Sequence, residues 1–282
     1  MPERRLGVHT SIAGGLPLSL RRAAALGCNT LQIFSHNPRG WAVKPVSETD
    51  ASIFKSLRMK FGISPVYIHA SYLINIASRD ATLRRKSIDL LTVEMDRADS
   101  INADYVVLHT GSASGDDESS SRKRAADALD EIARMGRWKA GLLLENTAGQ
   151  RGDISSRVSE TAEIASAVRL PLISGICLDT CHAFAAGYDI RSEKGIRKVA
   201  DEIGESIGLY KLKLIHLNDS KGGVGLHIDR HEHIGSGKIG AKGLRNFINH
   251  SPFKYVPLIL ETPRKRESDD PRNLKYVRRM FR

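Results

Sequence analysis

Little in this sequence points to a crosslinked, exported or membrane-bound chain. Only three cysteines occur in 282 residues, Cys28, Cys177 and Cys181. An odd, low number gives no disulfide framework and suits a reducing compartment. Cys177 and Cys181 stand four apart, which is not the CxxC spacing, and read as small core residues. No apolar stretch approaches the roughly 20 residues that span a bilayer, so no membrane partner is expected. The opening MPERRLGVHTS has neither the apolar core nor the small-residue cleavage site of a secretion signal, which leaves the cytoplasm as the expected location. Glutamine is scarce, at two residues, and with the few cysteines this leans towards a hot environment. Acidic residues are outnumbered: 32 Asp and Glu face 43 Lys and Arg, for a net charge of +11. A basic surface favours anionic partners, and nucleic acid is the commonest of these.

What the chain does have is rhythm. Eight apolar, β-branched runs recur: LGVHT (6–10), TLQIFS (30–35), VYIHA (66–70), YVVLHT (105–110), GLLLEN (141–146), GICLDT (175–180), KLIHLND (213–219) and PLILET (257–262). Nearly continuous apolar character is the mark of a strand buried on both faces. Helical patterns lie between them. SETDASIFKSLRMKFG, for example, opens with a capping serine at Ser47 and closes at Gly62. Eight alternations of strand and helix predict an α/β fold, a TIM-type (β/α)8 barrel, forming one domain over residues 1–282. A doubly wound open sheet is the alternative, because alternation alone does not say whether the sheet closes.

Seven of the eight runs end in a group that binds cations or moves protons: His9, His69, His109, Glu145, Asp179, His216 and Glu261. In a barrel these ends converge on one rim. A lone histidine after a strand is ordinarily a hydrogen-bonded packing group. A carboxylate behind GLLL, GICL or PLIL is different, because burying it without a partner costs several kcal/mol. Divalent cations would resolve the charge of three such carboxylates and supply the histidines with a partner. Mixed His and carboxylate donors suit zinc, with manganese or iron as alternatives.

The stretch GLHIDRHEHIGSG (225–237) gathers more donors. Asp229 and His231 can turn to one ion, and His182 in DTCHAF, three residues past Asp179, can complete a separate trio. His227 and His233 share the same phase, so spacing leaves them open. The neighbouring GSGKIG looks like a phosphate-binding loop, but Glu232 stands where its first glycine belongs and Ile239 follows the lysine, so nucleotide binding is discarded. The sequon NDS at 218–220 has no meaning without secretion.

HASYLIN (69–75), GICLDTCH (175–182) and HLNDSKGGVGLHIDRH (216–231) resemble the hallmark motifs of the endonuclease IV family of apurinic/apyrimidinic (AP) endonucleases. ENTAGQ (145–150) and IGSGKIG (234–240) resemble further segments, and the likeness runs from GVHTSIAGGL to PLILET. The resemblance implies three zinc ions per chain, with manganese as a substitute. His69, His109 and Glu145 would hold the first. Glu145 would bridge to a second, held also by Asp179, His216 and Glu261. His182, Asp229 and His231 would hold the third. It further implies incision of double-stranded DNA 5′ to an abasic site, leaving a 3′-hydroxyl and a 5′-deoxyribose phosphate, with trimming of 3′ ends. Glu145 and Glu261 would act in catalysis. Tyr72 and Leu73 match a loop that props the DNA after nucleotide flipping, and Asn37 and Arg39 match a second. This chain departs from the family in the second loop, where Gly40 stands at a position often taken by glutamine. Lys221, after the seventh run, is placed to meet phosphate, whereas the late arginines of the tail 264–282 fall on an outer helix. The chain is expected to be a monomer.

Two rivals remain at this level. A metal-dependent sugar isomerase on a related barrel also uses carboxylates and histidines at strand ends, but it has no need of the third trio or the basic surface. A non-catalytic DNA-damage binding protein has no need of an intact ligand set.

Overall fold

The computed structural model describes residues 4–150 and 152–281. The eight apolar runs are the eight strands of a closed parallel barrel: β1 (Leu6–Thr10), β2 (Leu31–Phe34), β3 (Val66–His69), β4 (Tyr105–His109), β5 (Gly141–Glu145), β6 (Ile173–Asp179), β7 (Leu212–His216) and β10 (Leu258–Leu260). Each strand pairs with its neighbours in sequence, and β10 closes the ring on β1 through Leu6↔Leu258 and Val8↔Leu260. The open-sheet alternative is thereby corrected: the first and last strands find each other, which no local pattern records. A second, two-stranded sheet pairs β8 (Asp219–Ser220) with β9 (His231–Glu232) in antiparallel fashion.

Helices α1 (Leu16–Ala25), α2 (Glu48–Phe61), α3 (Ala81–Ser100), α4 (Glu118–Met135), α5 (Val158–Ala167), α7 (Glu193–Ser206), α8 (Gly240–Asn249) and α9 (Asp269–Arg278) follow the strands, and their apolar faces join one large cluster with the outward faces of the strands. Capping sets their limits. The Ser47 hydroxyl accepts from the Asp50 N–H at the start of α2, and Gly62 takes φ 63° at its end, the left-handed turn that glycine adopts without strain. The short α6 (Thr180–Ala185) begins directly at the end of β6 and is not announced by the sequence pattern.

Inside the barrel Tyr67, Val107, Leu143, Cys177, Leu214 and Ile259 form a separate buried layer. Cys177 is thus buried inside the barrel, where its thiol also lies within reach of donor atoms of Glu145 and His216. Tyr67 stacks on Tyr105 with ring centroids 5.6 Å apart and donates its hydroxyl to the Lys213 carbonyl at 3.0 Å. This apolar layer lies one step below the strand ends, so the rim above it is held on a rigid plug.

Candidate metal centre

The strand ends meet at one rim. Register places His109 beside Glu145 and Asp179 beside His216. Glu145 is fully buried, and its two oxygens face different neighbours. Oε2 lies 3.4 Å from His69 Nε2 and 3.1 Å from His109 Nε2. Oε1 lies 2.9 Å from His216 Nδ1 and 3.4 Å from His182 Nδ1. Donor atoms of His69, His109 and Glu145 all lie within 4.8 Å of one another, as do those of Glu145, Asp179, His216 and Glu261, and those of His182, Asp229 and His231. All nine residues named from the sequence are therefore brought together. His227 and His233 join no such grouping among the described residues. His227 turns its Nδ1 to the Ala148 carbonyl, and His233 meets the Asn273 amide. His9 contributes no donor to these groupings, but it faces Glu261 across 3.5 Å.

Local structure explains the positions. His69, His109, Glu145, Asp179 and His216 close their strands, and Glu261 follows β10. His182 sits one turn into α6, where its backbone N–H caps onto the Asp179 carboxylate. Asp229 and His231 come from the excursion after β7, with His231 in β9. That excursion is anchored by the buried Asp219 carboxylate, which accepts from the N–H groups of Ser220, Gly235, Gly237, Ile239 and Gly240. The segment that looks like a phosphate loop thus wraps an internal carboxylate. A side chain at Gly237 would fall 2.5 Å from that carboxylate, so only glycine fits there.

Backbone and amide partners orient the ligands. The Nδ1–H groups of His69, His182 and His231 donate to the carbonyls of Ala70, Asn146 and Glu261, at 2.7, 2.9 and 3.0 Å. Each ring is left with Nε2 facing the cluster, the arrangement typical of metal-binding histidines. Asn218 donates to Asp179 Oδ2 at 2.6 Å and accepts from the Glu261 N–H. Glu145 Oε2 and His231 Nε2 are buried without a hydrogen-bond partner. Orphaned donor atoms of this kind, one in the grouping of His69, His109 and Glu145 and one in that of His182, Asp229 and His231, fit bound cations.

The electrostatics agree. Burial alone would push the Glu145 carboxyl up, but the facing charges of His216 and His109, with His182 close by, hold it well below the usual carboxylate range. Burial is likewise overridden at Glu261 by the charge of His216, with His9 across the way. Asp229 is brought down to about 2 against its burial by the hydrogen bond and charge of His182. Glu145, Glu261 and Asp229 are thus held ionised by positive charge on the facing imidazoles, a charge that a bound cation would supply in their place.

Phe34, Tyr72, Thr262 and Arg264 complete the walls of a cavity of about 300 Å³ over the cluster. Tyr72 is exposed on the rim and packs on Phe34, while Leu73 beside it is half-buried. Asn37 and Arg39 are exposed on the neighbouring loop, where Asn37 Oδ1 accepts from the Arg39 N–H. A Cβ at Gly40 would meet nothing nearer than Asn37 at 3.7 Å, so the place of a larger side chain is open. Lys221 is half-exposed and lies 3.8 Å from Glu232. Sequence reasoning missed Gln32, Asn146, Asn218 and Arg264. The signal for Gln32 was present, as a polar residue in the middle of a buried run.

A closed parallel barrel carrying imidazoles and carboxylates on its C-terminal rim is the hallmark of one class of metal-binding barrels. Residues 20–282 match the family described as xylose isomerase-like TIM barrel. The chain belongs, within that class, to the endonuclease IV family of AP endonucleases and is an enzyme of that type. It is 46% identical to a probable endonuclease 4 of Halothermothrix orenii, over 92% of this chain and 94% of the relative. It is 40% identical to one of Methanosphaerula palustris over 98% of each. The crystal structure of endonuclease IV from Thermus thermophilus superposes with a TM-score of 0.86 at 37% identity, over 98% of each chain. A D-tagatose 3-epimerase-like protein superposes at 0.74 over 98% of this chain and 96% of its own, but at 18% identity that likeness is one of fold. The family is metal-dependent, and no described helix is long and apolar enough to cross a membrane.

Proposed function

We propose that this chain hydrolyses the phosphodiester 5′ to an abasic site in double-stranded DNA, leaving a 3′-hydroxyl and a 5′-deoxyribose phosphate, and that it trims blocked 3′ ends. The observation that carries this reading is the donor grouping of His182, Asp229 and His231, beside the two groupings of histidines and carboxylates alone that share Glu145. His69, His109 and Glu145 would hold one zinc. Glu145, Asp179, His216 and Glu261 would hold a second, and the trio a third, with manganese as a substitute. Bound zinc supplies Lewis acidity and brings the pKa of water to about 7.

The chain's own groups divide the remaining work. Glu145 turns Oε2 towards His69 and His109 and Oε1 towards His216, and would bridge the first two ions. Glu261 accepts from the Gln32 amide through Oε1, and its carboxylate would orient the attacking water or take its proton. Tyr72 and Leu73, with Asn37 and Arg39, would fill the gap left by the flipped nucleotide. Lys221 would release Glu232 to meet a phosphate. The enzyme would act as a monomer of one domain, residues 1–282, in the cytoplasm.

A sugar isomerase would need two ions and not three, so metal stoichiometry separates the readings. A non-catalytic damage binder would bind an abasic duplex without cutting it. The direct test is Glu145→Gln. Incision of an abasic oligonucleotide should fall on the order of 10³-fold, the several kcal/mol a metal's charge contributes, and bound zinc should drop. Wild-type turnover would remove the bridging role.

A further inference from the structure

Three of the histidines in the cluster have their ring orientation fixed by a backbone carbonyl on Nδ1. His216 is reversed. Its Nδ1 faces Glu145 Oε1 at 2.9 Å and Glu261 Oε2 at 3.3 Å, while its Nε2 lies 2.7 Å from Gln32 Oε1. Gln32 is fully buried on β2, and the other end of its amide lies 2.6 Å from Glu261 Oε1 and 3.0 Å from His9 Nδ1.

With a cation held in that grouping His216 is neutral, and these contacts then admit one proton arrangement. An ionised carboxylate only accepts, so the Gln32 group beside Glu261 is the NH2. The other end is then the carbonyl, and the His216 nitrogen facing it carries hydrogen. That leaves the lone pair of His216 on Nδ1, pointing into the grouping with Glu145, Asp179 and Glu261. By the same logic His9 Nδ1 accepts from Gln32 and is unprotonated. One neutral side chain thus selects the ligating nitrogen of His216 and fixes Glu261, two of the four donors of that grouping.

Resting on the metal reading above, we propose that Gln32 is a positioning residue for the central metal site alone. It touches neither the grouping of His69, His109 and Glu145 at its histidines nor that of His182, Asp229 and His231. Partners of this kind contribute about 10- to 100-fold to metal affinity. The test is Gln32→Met, which keeps length but removes both hydrogen-bonding ends, measured as zinc bound per chain by elemental analysis during titration with a competing chelator. The wild type should hold three ions. The variant should release one of them 10- to 100-fold more readily and keep the other two at wild-type affinity. Should Gln32→Met not fold, Gln32→Asn, which withdraws the amide by one methylene, should show the same selective loss. Wild-type retention of all three ions by a folded variant overturns the proposal, as does uniform weakening of all three, which would mark a general packing role. A wild-type chain that holds no metal would instead overturn the metal reading itself.

Discussion

Tyr72 is 65% exposed, yet its ring rests on Phe34 and His69 with centroids 5.1 and 5.8 Å away. An aromatic so held has few rotamers to lose when it meets a base or an empty stack. Burial, with the carboxylates of Glu261 and Glu145, pushes its hydroxyl up to about 12, so the ring is neutral at physiological pH. Tyr72→Ala should weaken binding to an abasic duplex by about 1–3 kcal/mol, the value of one stacked base, with zinc content unchanged. A parallel loss of zinc in elemental analysis would assign Tyr72 to packing instead. At this scale the donors were legible in the sequence because charge at the end of an apolar run is costly and demands a partner. The amide of Gln32 inside TLQIF makes no such demand, since a neutral polar group is satisfied by many neighbours. The histidines at 227 and 233 stayed open because the phase of a loop does not set the direction of its side chains.

Elements with local punctuation were read correctly. The helix from Glu48 to Phe61 was announced by Ser47 and Gly62, both of which act within a few residues of themselves. The helix from Thr180 to Ala185 was not, because it is six residues long and its cap is the last residue of a strand. The 235–240 segment was rejected as a nucleotide loop on sequence, but its actual occupant, a carboxylate some 20 positions upstream, is a tertiary fact. Asp219→Ala would leave five N–H groups without their acceptor. Each unmet buried donor costs about 1–3 kcal/mol, and partial access of water reduces the sum. We expect a loss on the order of 3–5 kcal/mol in urea unfolding of the metal-free protein. The β8–β9 pair should loosen with it, and zinc should be weakened most at the trio containing Asp229 and His231. Unfolding within about 0.5 kcal/mol of wild type would show that the loop is held by something else.

For the molecule as a whole, eight alternations gave the layers but not closure, which rests on the pairing of residues some 250 positions apart. The charge of +11 gives the whole surface a preference for polyanions. If about four phosphates are neutralised, affinity for abasic DNA should fall roughly 10²-fold between 50 and 200 mM salt; a flat response in a fluorescence titration would count against backbone contacts. On the proposed reading metal binds the folded rim and not the unfolded chain, so stripping it should lower stability by about 3 kcal/mol or more at ordinary excess. That corresponds to a fall in Tm of roughly 5–10 °C for a chain of this size, and an identical calorimetric trace with and without chelator would exclude a bound ion. The layer of Tyr67, Leu143 and Cys177 under the rim has a further effect. It makes the ionised groups a charged plate laid on an insulator. Field lines from that plate have no polarisable medium below in which to fade, so they leave through the mouth. Whatever lies across the opening therefore feels each change of charge on the rim almost undiminished.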